Sequence, residues 1–484
     1  MKLPVPLHVA LAVAGLSWLS RPASAQPAPS DQGEPIPTFE IYGSIVPFLE
    51  YGRTTGATPL GTSPASTATQ VTSFSGANMK GRFVLDPSTT NLGFRGGVEI
   101  AHDLAVVWQI ESGLPVDGGA SANTFASRNS QLGVTGSWGT AFVGNWDTPY
   151  KWGTSPVNPV RAGILPDFNG VLHNPGFGVS SVTTQATRAA ASADAAWYRR
   201  AGNSVQYWTP LMSGVSARLL YSIDEGRTHR TAAVPSIRPQ IFGGTLAYDQ
   251  GPIKLRYSYE AHLDYFGMTQ LGGTPVSNTN TSSTDQAHEV VAQYTHASPG
   301  FDTRLVGIFE FLSYSNDDTT INMTMTPVVK AHSRPAFYAL IDQTLMGKHH
   351  IYGAFGQAFA GSCDLVSGAA CSTAGLGANM AVLGYVYRFS KNTDFWLSAY
   401  RITNDTAASY TTSPGLGGPT APGADVEALG IGMVYAFAVK VGPPAHAAAP
   451  APKLAPPPAP VEVPATPPAP DAAPAPGPPA PPNP

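Results

Sequence analysis

The sequence predicts an all-β fold: a 16-stranded antiparallel transmembrane β-barrel followed by a disordered Pro/Ala-rich C-terminal tail. Three observations predict it. Charged residues make up 12% of the 484, about half the share in an ordinary soluble domain, so the polarity comes from Gly, Ser, Thr, Asn and Gln instead of ions. After residue 25 no uninterrupted apolar run reaches the roughly 18 residues of a membrane-crossing helix. Segment after segment alternates apolar residues with polar or small ones, the period of a strand whose two faces meet different surroundings.

The elements follow in chain order. Lys2, the apolar run from Val5 to Leu19 and the small residues Ala23-Ser24-Ala25 predict an export signal over 1–25, cleaved after Ala25. Pro6, His8 and Arg21 leave too few apolar residues for an N-terminal membrane anchor. Residues 26–37 are a Pro-containing periplasmic lead-in, and the barrel is expected over 38–437.

Alternation is clearest in four segments. In Pro252 to Glu260, Ile253, Leu255, Tyr257 and Tyr259 oppose Lys254, Arg256, Ser258 and Glu260. From Asn91 to Ile100, Leu92, Phe94, Val98 and Ile100 oppose Asn91, Arg95 and Glu99. Val215, Ala217, Leu219 and Tyr221 oppose Ser216, Arg218 and Ser222, while Leu429, Ile431, Met433, Tyr435 and Phe437 oppose small residues. Such runs place strands near 38–53, 89–101, 104–113, 128–137, 140–147, 197–209, 214–224, 238–249, 253–264, 284–297, 301–314, 330–344, 348–359, 376–389, 393–403 and 426–437. Between 301 and 359 the alternation weakens, with Val306 and Ile308 on what should be the wet face.

Seven short turns rich in turn formers, such as Gly136-Ser137-Trp138-Gly139, alternate with eight long loops. That is the pattern of an up-and-down barrel with turns on one rim and loops on the other. Sixteen strands enclose more space than their own side chains fill, which leaves an aqueous channel. The third long loop, 148–196, far exceeds the usual connection of about 4–6 residues and is the natural partial plug.

The stretches "TTNLGFRGGVEIAHDLAVVWQIESG" at 89–113 and "SRNSQLGVTGSWGTAFVGNWDTPYK" at 127–151 resemble the second to fifth strands of the Gram-negative general porin family. "RAGNSVQYWTP" from Arg200 and "LGIGMVYAF" ending at Phe437 are similar to that family's sixth and last strands. The resemblance implies a homotrimer in the outer membrane, passive diffusion of small hydrophilic solutes, and a third loop folded into each lumen as the constriction. It also implies arginines on the early strands facing an acidic third loop, a transverse field acting on permeating ions.

The pore-constriction candidates are Arg95, Arg200, Arg218 and Arg256 on the wall, with Asp147 and Asp167 at and in the loop. Each has the plainer reading of a solvated charge. Arg128 matches a family arginine but is in phase with outward Leu132 and Val134 unless a bulge intervenes. Asn91 and Asn145 stand where many relatives have Arg. Glu99, Glu111 and Glu260 have lumen parity too, so no ion preference is assigned. Trp146, Tyr150, Trp152 and Phe168 would offer stacking surfaces to a solute such as a sugar or organic anion, or serve as loop packing.

Cys363 and Cys371, eight apart in the seventh long loop, favour a disulfide over a metal site, which would need further ligands. The tail within 438–484 is almost uncharged and holds 19 of the 47 prolines from Pro443 onward. It would be an extended periplasmic spacer or a tether to peptidoglycan or a periplasmic protein. An even strand number starting at the periplasm also ends there, so both chain ends are expected in the periplasm. The barrel assembly machinery is expected to read the last strand ending at Phe437, although the tail departs from family chains that stop at the final aromatic. A net charge of -4 argues against nucleic acid. No Walker loop, HExxH or GxSxG occurs, so neither enzyme, cofactor nor metal is expected. A hydrolase site built across separate strands would leave no local motif, and a plugged structural barrel is a further alternative.

Overall fold

The computed structural model describes residues 38–63, 65–68, 77–86, 89–114, 116–117, 125–154, 158, 168–176, 197–223, 240–264, 283–316, 329–412, 416 and 420–441. The signal, the lead-in and the tail beyond 441 lie outside the described residues.

Nineteen hydrogen-bonded segments form one sheet, and three strands are each interrupted once, which leaves sixteen. They are β1 (Thr38–Ile45, continuing as Phe48–Thr55), β2 (Arg82–Asp86, continuing as Asn91–Ala101), β3 (Leu104–Gly113), β4 (Ser130–Gly136) and β5 (Gly139–Asp147). Then come β6 (Arg200–Trp208), β7 (Val215–Ile223), β8 (Gln240–Gln250), β9 (Ile253–Leu263), β10 (Ser283–His296) and β11 (Phe301–Asn316). The chain continues through β12 (Val329–Leu345), β13 (His349–Ala358, continuing as Ser362–Leu365), β14 (Ala378–Arg388), β15 (Thr393–Asn404) and β16 (Asp425–Val441).

Each strand is antiparallel to its neighbours, and the sheet closes on itself. β1 pairs with β2 in the register Ser44↔Asn91 and with β16 from Phe39↔Val441 to Ile45↔Tyr435. The break in β1 falls at Pro47, which has no N–H to give to the ladder. The break in β2 lies opposite it, where the Val46 N–H is taken by Thr90 Oγ1 at 2.9 Å. β13 breaks before Gly361, whose φ of 75° suits glycine.

The strand boundaries expected from alternation hold, with four corrections. β2 begins at Arg82, inside the expected first long loop, because Arg82–Asp86 pair with the second half of β1, and β13 resumes as Ser362–Leu365, inside the expected seventh, because these residues pair with β12. β16 runs to Val441, four residues beyond Phe437, because Ala438 to Val441 still find partners on β1 (Tyr42↔Ala438 to Phe39↔Val441); the barrel therefore ends at 441 and not 437. β6 begins at Arg200 and not 197, because Trp197 turns into the interior, donating from Nε1 to Tyr314 Oη at 2.9 Å and stacking on His262 at 4.1 Å.

Burial is the inverse of a water-soluble protein. Leu246, Val290, Phe309 and Leu429 on one face are 47–56% exposed, whereas Thr245, Glu289, Glu310 and Ala428 beside them are buried. The exposed face is the one a hydrocarbon solvent would cover, and Trp138, Tyr248, Tyr294, Phe301, Phe389 and Tyr435 lie on it as exposed aromatics. Val306 and Ile308 do face inward, as their parity requires, yet they are buried. They belong to an apolar cluster with Phe168, Val171 and Leu172, so that part of the inner wall is dry because the third loop covers it.

A cation placed on the outer face near mid-membrane should cost about 2–4 kcal/mol. Val290→Lys is expected to lower the folded fraction in refolding into lipid vesicles, read as the loss of the compact band on unheated gels. An unchanged folded fraction would place Val290 away from lipid.

Candidate functional site: the third loop inside the barrel

The third loop opens with a single helical turn, α1 (Pro149–Thr154). Thr148 Oγ1 accepts the Lys151 N–H at 3.2 Å, an N-cap that starts the turn. The wall then grips it. Thr245 Oγ1 on β8 donates to the Pro149 carbonyl at 2.6 Å, and the Tyr150 hydroxyl donates to Glu310 Oε2 on β11 at 2.9 Å. At Gly153 an added Cβ would meet Ser258 Oγ and Glu289 Oε1, so the turn lies against β9 and β10 at a distance at which any larger residue would have to displace those side chains.

The loop is described again from Phe168 and crosses to the far wall. Phe168 meets Tyr338 of β12 edge-on at 6.0 Å. Gly170 lies against Met380 of β14 and Ile402 of β15, and Val171 against Gly356 of β13. The Asn174 carbonyl accepts from Arg334 Nε at 2.8 Å, and Gly176, at φ 81°, fits against the Tyr410 ring. A segment that touches the same face of eight consecutive strands of a closed barrel lies inside it.

Between these anchors sits a buried polar knot. The His173 N–H donates to both Glu310 oxygens at 2.9 Å, its Nε2 lies 2.7 Å from Glu289 Oε2, and its Nδ1 lies 2.7 Å from Asn169 Oδ1. Burial, with the Arg334 charge adding to it, lowers the imidazole to about 3, so it is neutral at ordinary pH. Tyr150 and Phe168, candidate stacking surfaces in the sequence, are instead fully committed to this packing.

The early strands carry the basic wall. Arg95 pairs with Glu40 at 3.0 Å and lies 4.6 Å over the Tyr42 ring. Tyr42 Oη donates to Glu111 Oε2, and Arg128 Nε reaches Glu111 Oε1 at 2.5 Å. Arg128 thus joins the inward network; it precedes β4, so strand parity does not bind it. Asn91 donates to Ser44 Oγ at 2.8 Å, and Asn145 to the Arg128 carbonyl at 3.0 Å, so both replace a wall charge with a structural hydrogen bond.

Asp147, expected to oppose the basic wall, lies on it. Asp147 and Arg200 are register partners on β5 and β6 and form an ion pair at 3.2 Å, with Lys151 at 2.8 Å from the same carboxylate. They sit on one wall and do not face each other across the lumen. Arg256 is likewise tied to Asp249 at 3.0 Å. Arg218 differs: its guanidinium is sandwiched between the Trp152 and Trp208 rings at 3.8 and 3.9 Å, and among the described residues no carboxylate pairs with it. Trp152 also lies under Arg256 at 4.4 Å, while Trp146 packs edge-on with Phe142 and Trp208. Asp167 lies outside the described residues, so the structure brings together Asp147, Arg200, Arg218 and Arg256 in one sector and Arg95 in the neighbouring one.

Cys363 and Cys371 are joined by a disulfide with Cα atoms 5.6 Å apart. The bridge shapes a loop that reaches the first long loop: Thr67 Oγ1 accepts the Ser372 N–H at 2.8 Å, and Ser66 Oγ donates to the Ser372 carbonyl at 3.0 Å.

Because Gly153 touches the wall, Gly153→Val should overpack the contact by about 1–3 kcal/mol. Expected is an intact barrel whose third loop is cut faster by protease, read by the size of the fragments; wild-type resistance would show that α1 is not held there.

The sequence matches the family model of the Gram-negative porin over residues 10–407. No curated protein matches it. Among solved structures the chain is similar to the anion-selective porin from Comamonas acidovorans, at 17% identity and a TM-score of 0.60, covering 83% of this chain and 100% of that one. It is also similar to the trimer form of OmpT, an outer membrane protein of Vibrio cholerae, at 14% identity and 0.54, with 83% and 100% covered. With a family match across most of its length, a closed sixteen-stranded barrel and a loop threaded through the lumen, the chain belongs to the Gram-negative porin family of outer-membrane channels.

Proposed function

We propose that the protein forms a homotrimer of water-filled channels that pass small hydrophilic solutes and ions by diffusion, with the third loop setting the narrowest section. The observation that carries this reading is the anchoring of residues 149–154 and 168–176 on the inner faces of β8 to β15, which supports a loop and an arginine wall sharing one lumen. Solved relatives of the same fold include a trimer form. An even number of strands supports chain ends on one side, the periplasm, with the Pro/Ala tail as a spacer there or a tether to peptidoglycan or a periplasmic protein. Family and fold favour a channel over an enzyme. Reconstitution into planar bilayers tests the reading: large, ohmic openings in groups of three are expected, and a trimer that inserts without current would overturn it.

Charge preference follows from which wall cations are locally compensated. Arg95, Arg128, Arg200 and Arg256 each have a carboxylate within 3.2 Å, whereas Arg218 is stacked between rings and forms no ion pair among the described residues. Arg218→Ala should therefore shift the reversal potential in a salt gradient toward cations more than Arg95→Ala does; equal shifts would remove the special role of Arg218. The same ring-bracketed guanidinium favours a second reading, a channel preferring organic anions, for which a saturable block of the current by an aromatic carboxylate is the signature.

Lys151 adds a pH dependence. Burial, reinforced by the Arg200 charge and opposed by Asp147, lowers its ammonium to about 8. A lowered amine loses its charge as pH rises through that value, so anion preference should fall between pH 7 and pH 9. Lys151→Met should abolish the change, measured as reversal potential against pH.

A further inference from the structure

The buried knot at His173 contains more oxygen acceptors than hydrogen-bond donors. His173, Glu289 and Glu310 are each at most 1% exposed. Both ring nitrogens of His173 face oxygens at 2.7 Å, Asn169 Oδ1 and Glu289 Oε2. If the Nδ1–H donates to Asn169, the lone pair on Nε2 points at a carboxylate. Glu289 Oε1, the second oxygen of that carboxylate, has no hydrogen-bond partner among the described residues. Two carboxylates meet one guanidinium here, Arg334, whose Nη2 lies 3.4 Å from Glu310 Oε1. A further positive species between the imidazole and the two carboxylates would satisfy Glu289 Oε1 and balance the second carboxylate.

The donor atoms suit a metal. Nε2 of His173 lies 2.7 Å from Glu289 Oε2 and 3.6 Å from Glu310 Oε2, and one ligand atom from each residue falls within 4.8 Å of the others. Bonds of about 2.0–2.1 Å in a tetrahedral centre separate neighbouring donors by about 3.3 Å, so on binding the 2.7 Å pair would open and the 3.6 Å pair would close slightly. One imidazole nitrogen and two carboxylate oxygens form a set that zinc-class divalent ions accept. The outer partners are also in place. Asn169 orients the imidazole, and Tyr150 and Arg334 hold Glu310.

We propose that His173, Glu289 and Glu310 bind a divalent transition metal of the zinc class that fastens the third loop to β10 and β11. The ligands stand 116 and 137 residues apart in pairs with His173, which is why local spacing showed no metal motif. The claim is independent of which solutes the channel passes.

The test uses the full mature chain, folded in detergent, stripped with a chelator and titrated with zinc chloride, and refolded in parallel with zinc present. Expected is one zinc per chain by elemental analysis and a raised unfolding temperature on zinc addition. Outer-partner substitutions at such sites weaken binding by about 10–100-fold, so His173→Ala and the isosteric Glu289→Gln should each weaken it at least about tenfold. Glu289→Gln preserves shape, so a compact, trimeric variant that no longer responds to zinc supports the site even if His173→Ala misfolds. Absence of stoichiometric zinc in the wild type under both protocols would overturn the proposal, as would zinc binding unchanged in Glu289→Gln; the missing positive species would then be a proton.

Discussion

Closure of the sheet is the constraint from which the rest of the molecule follows. Hydrocarbon offers no hydrogen bonds, so each backbone N–H and C=O in a membrane-spanning segment needs a partner within the protein. β1 answers this by pairing with β2 on one side and β16 on the other, and a sheet with no edge has an inside and an outside. That topology reverses the usual placement of residues: leucines and valines take the solvent-facing positions, and Glu260, Glu289 and Glu310 are enclosed. Glu310 is tolerable there because the third loop brings donors to it, the Tyr150 hydroxyl and the His173 N–H.

The lumen is thus divided in chemistry. One sector, lined by β2 to β9, carries arginines stacked on aromatic rings and matched with carboxylates close by. The other, from β10 to β15, takes the second part of the loop, residues 168–176, and apolar side chains such as Val306, Ile308, Tyr338 and Met380 share it with the buried acids. Pairing Asp147 with Arg200 on one wall shortens their dipole to a single strand spacing, and a short dipole is weak at the channel axis. The electrical character of the opening therefore rests on charges without a neighbour of opposite sign and on the loop segment beyond the described residues.

Much of the architecture was legible because strand side chains repeat every two residues, a local signal that survives without any knowledge of partners. Leu255, Tyr257 and Tyr259 against Arg256, Ser258 and Glu260 suffice to orient β9, and sixteen such runs imply a wide barrel. Alternation gave one run over 38–53 and so missed the interruption at Pro47, while its echo in β2 depended on register. Parity also placed Arg95, Arg218 and Arg256 inward. What it does not contain is distance across the barrel: that Asp147 would meet Arg200, that Val306 and Ile308 would be covered, or that His173 would reach Glu289, since each joins segments far apart in sequence. Arg128 was ambiguous for another reason, as its residue precedes the strand whose phase was applied to it.

The seam where the cylinder closes carries a consequence for how the polypeptide is wired. Phe39 and Val441 sit opposite each other in register, about 5 Å apart as adjacent strands are. A few small residues spanning 441 to 38 would complete a covalent ring, and a new chain end opened in a short turn such as Gly251-Pro252 would leave the strand register of the cylinder as it is. Chain order and barrel order are separable here: the cylinder is a cyclic object that happens to have been cut between its first strand and its last.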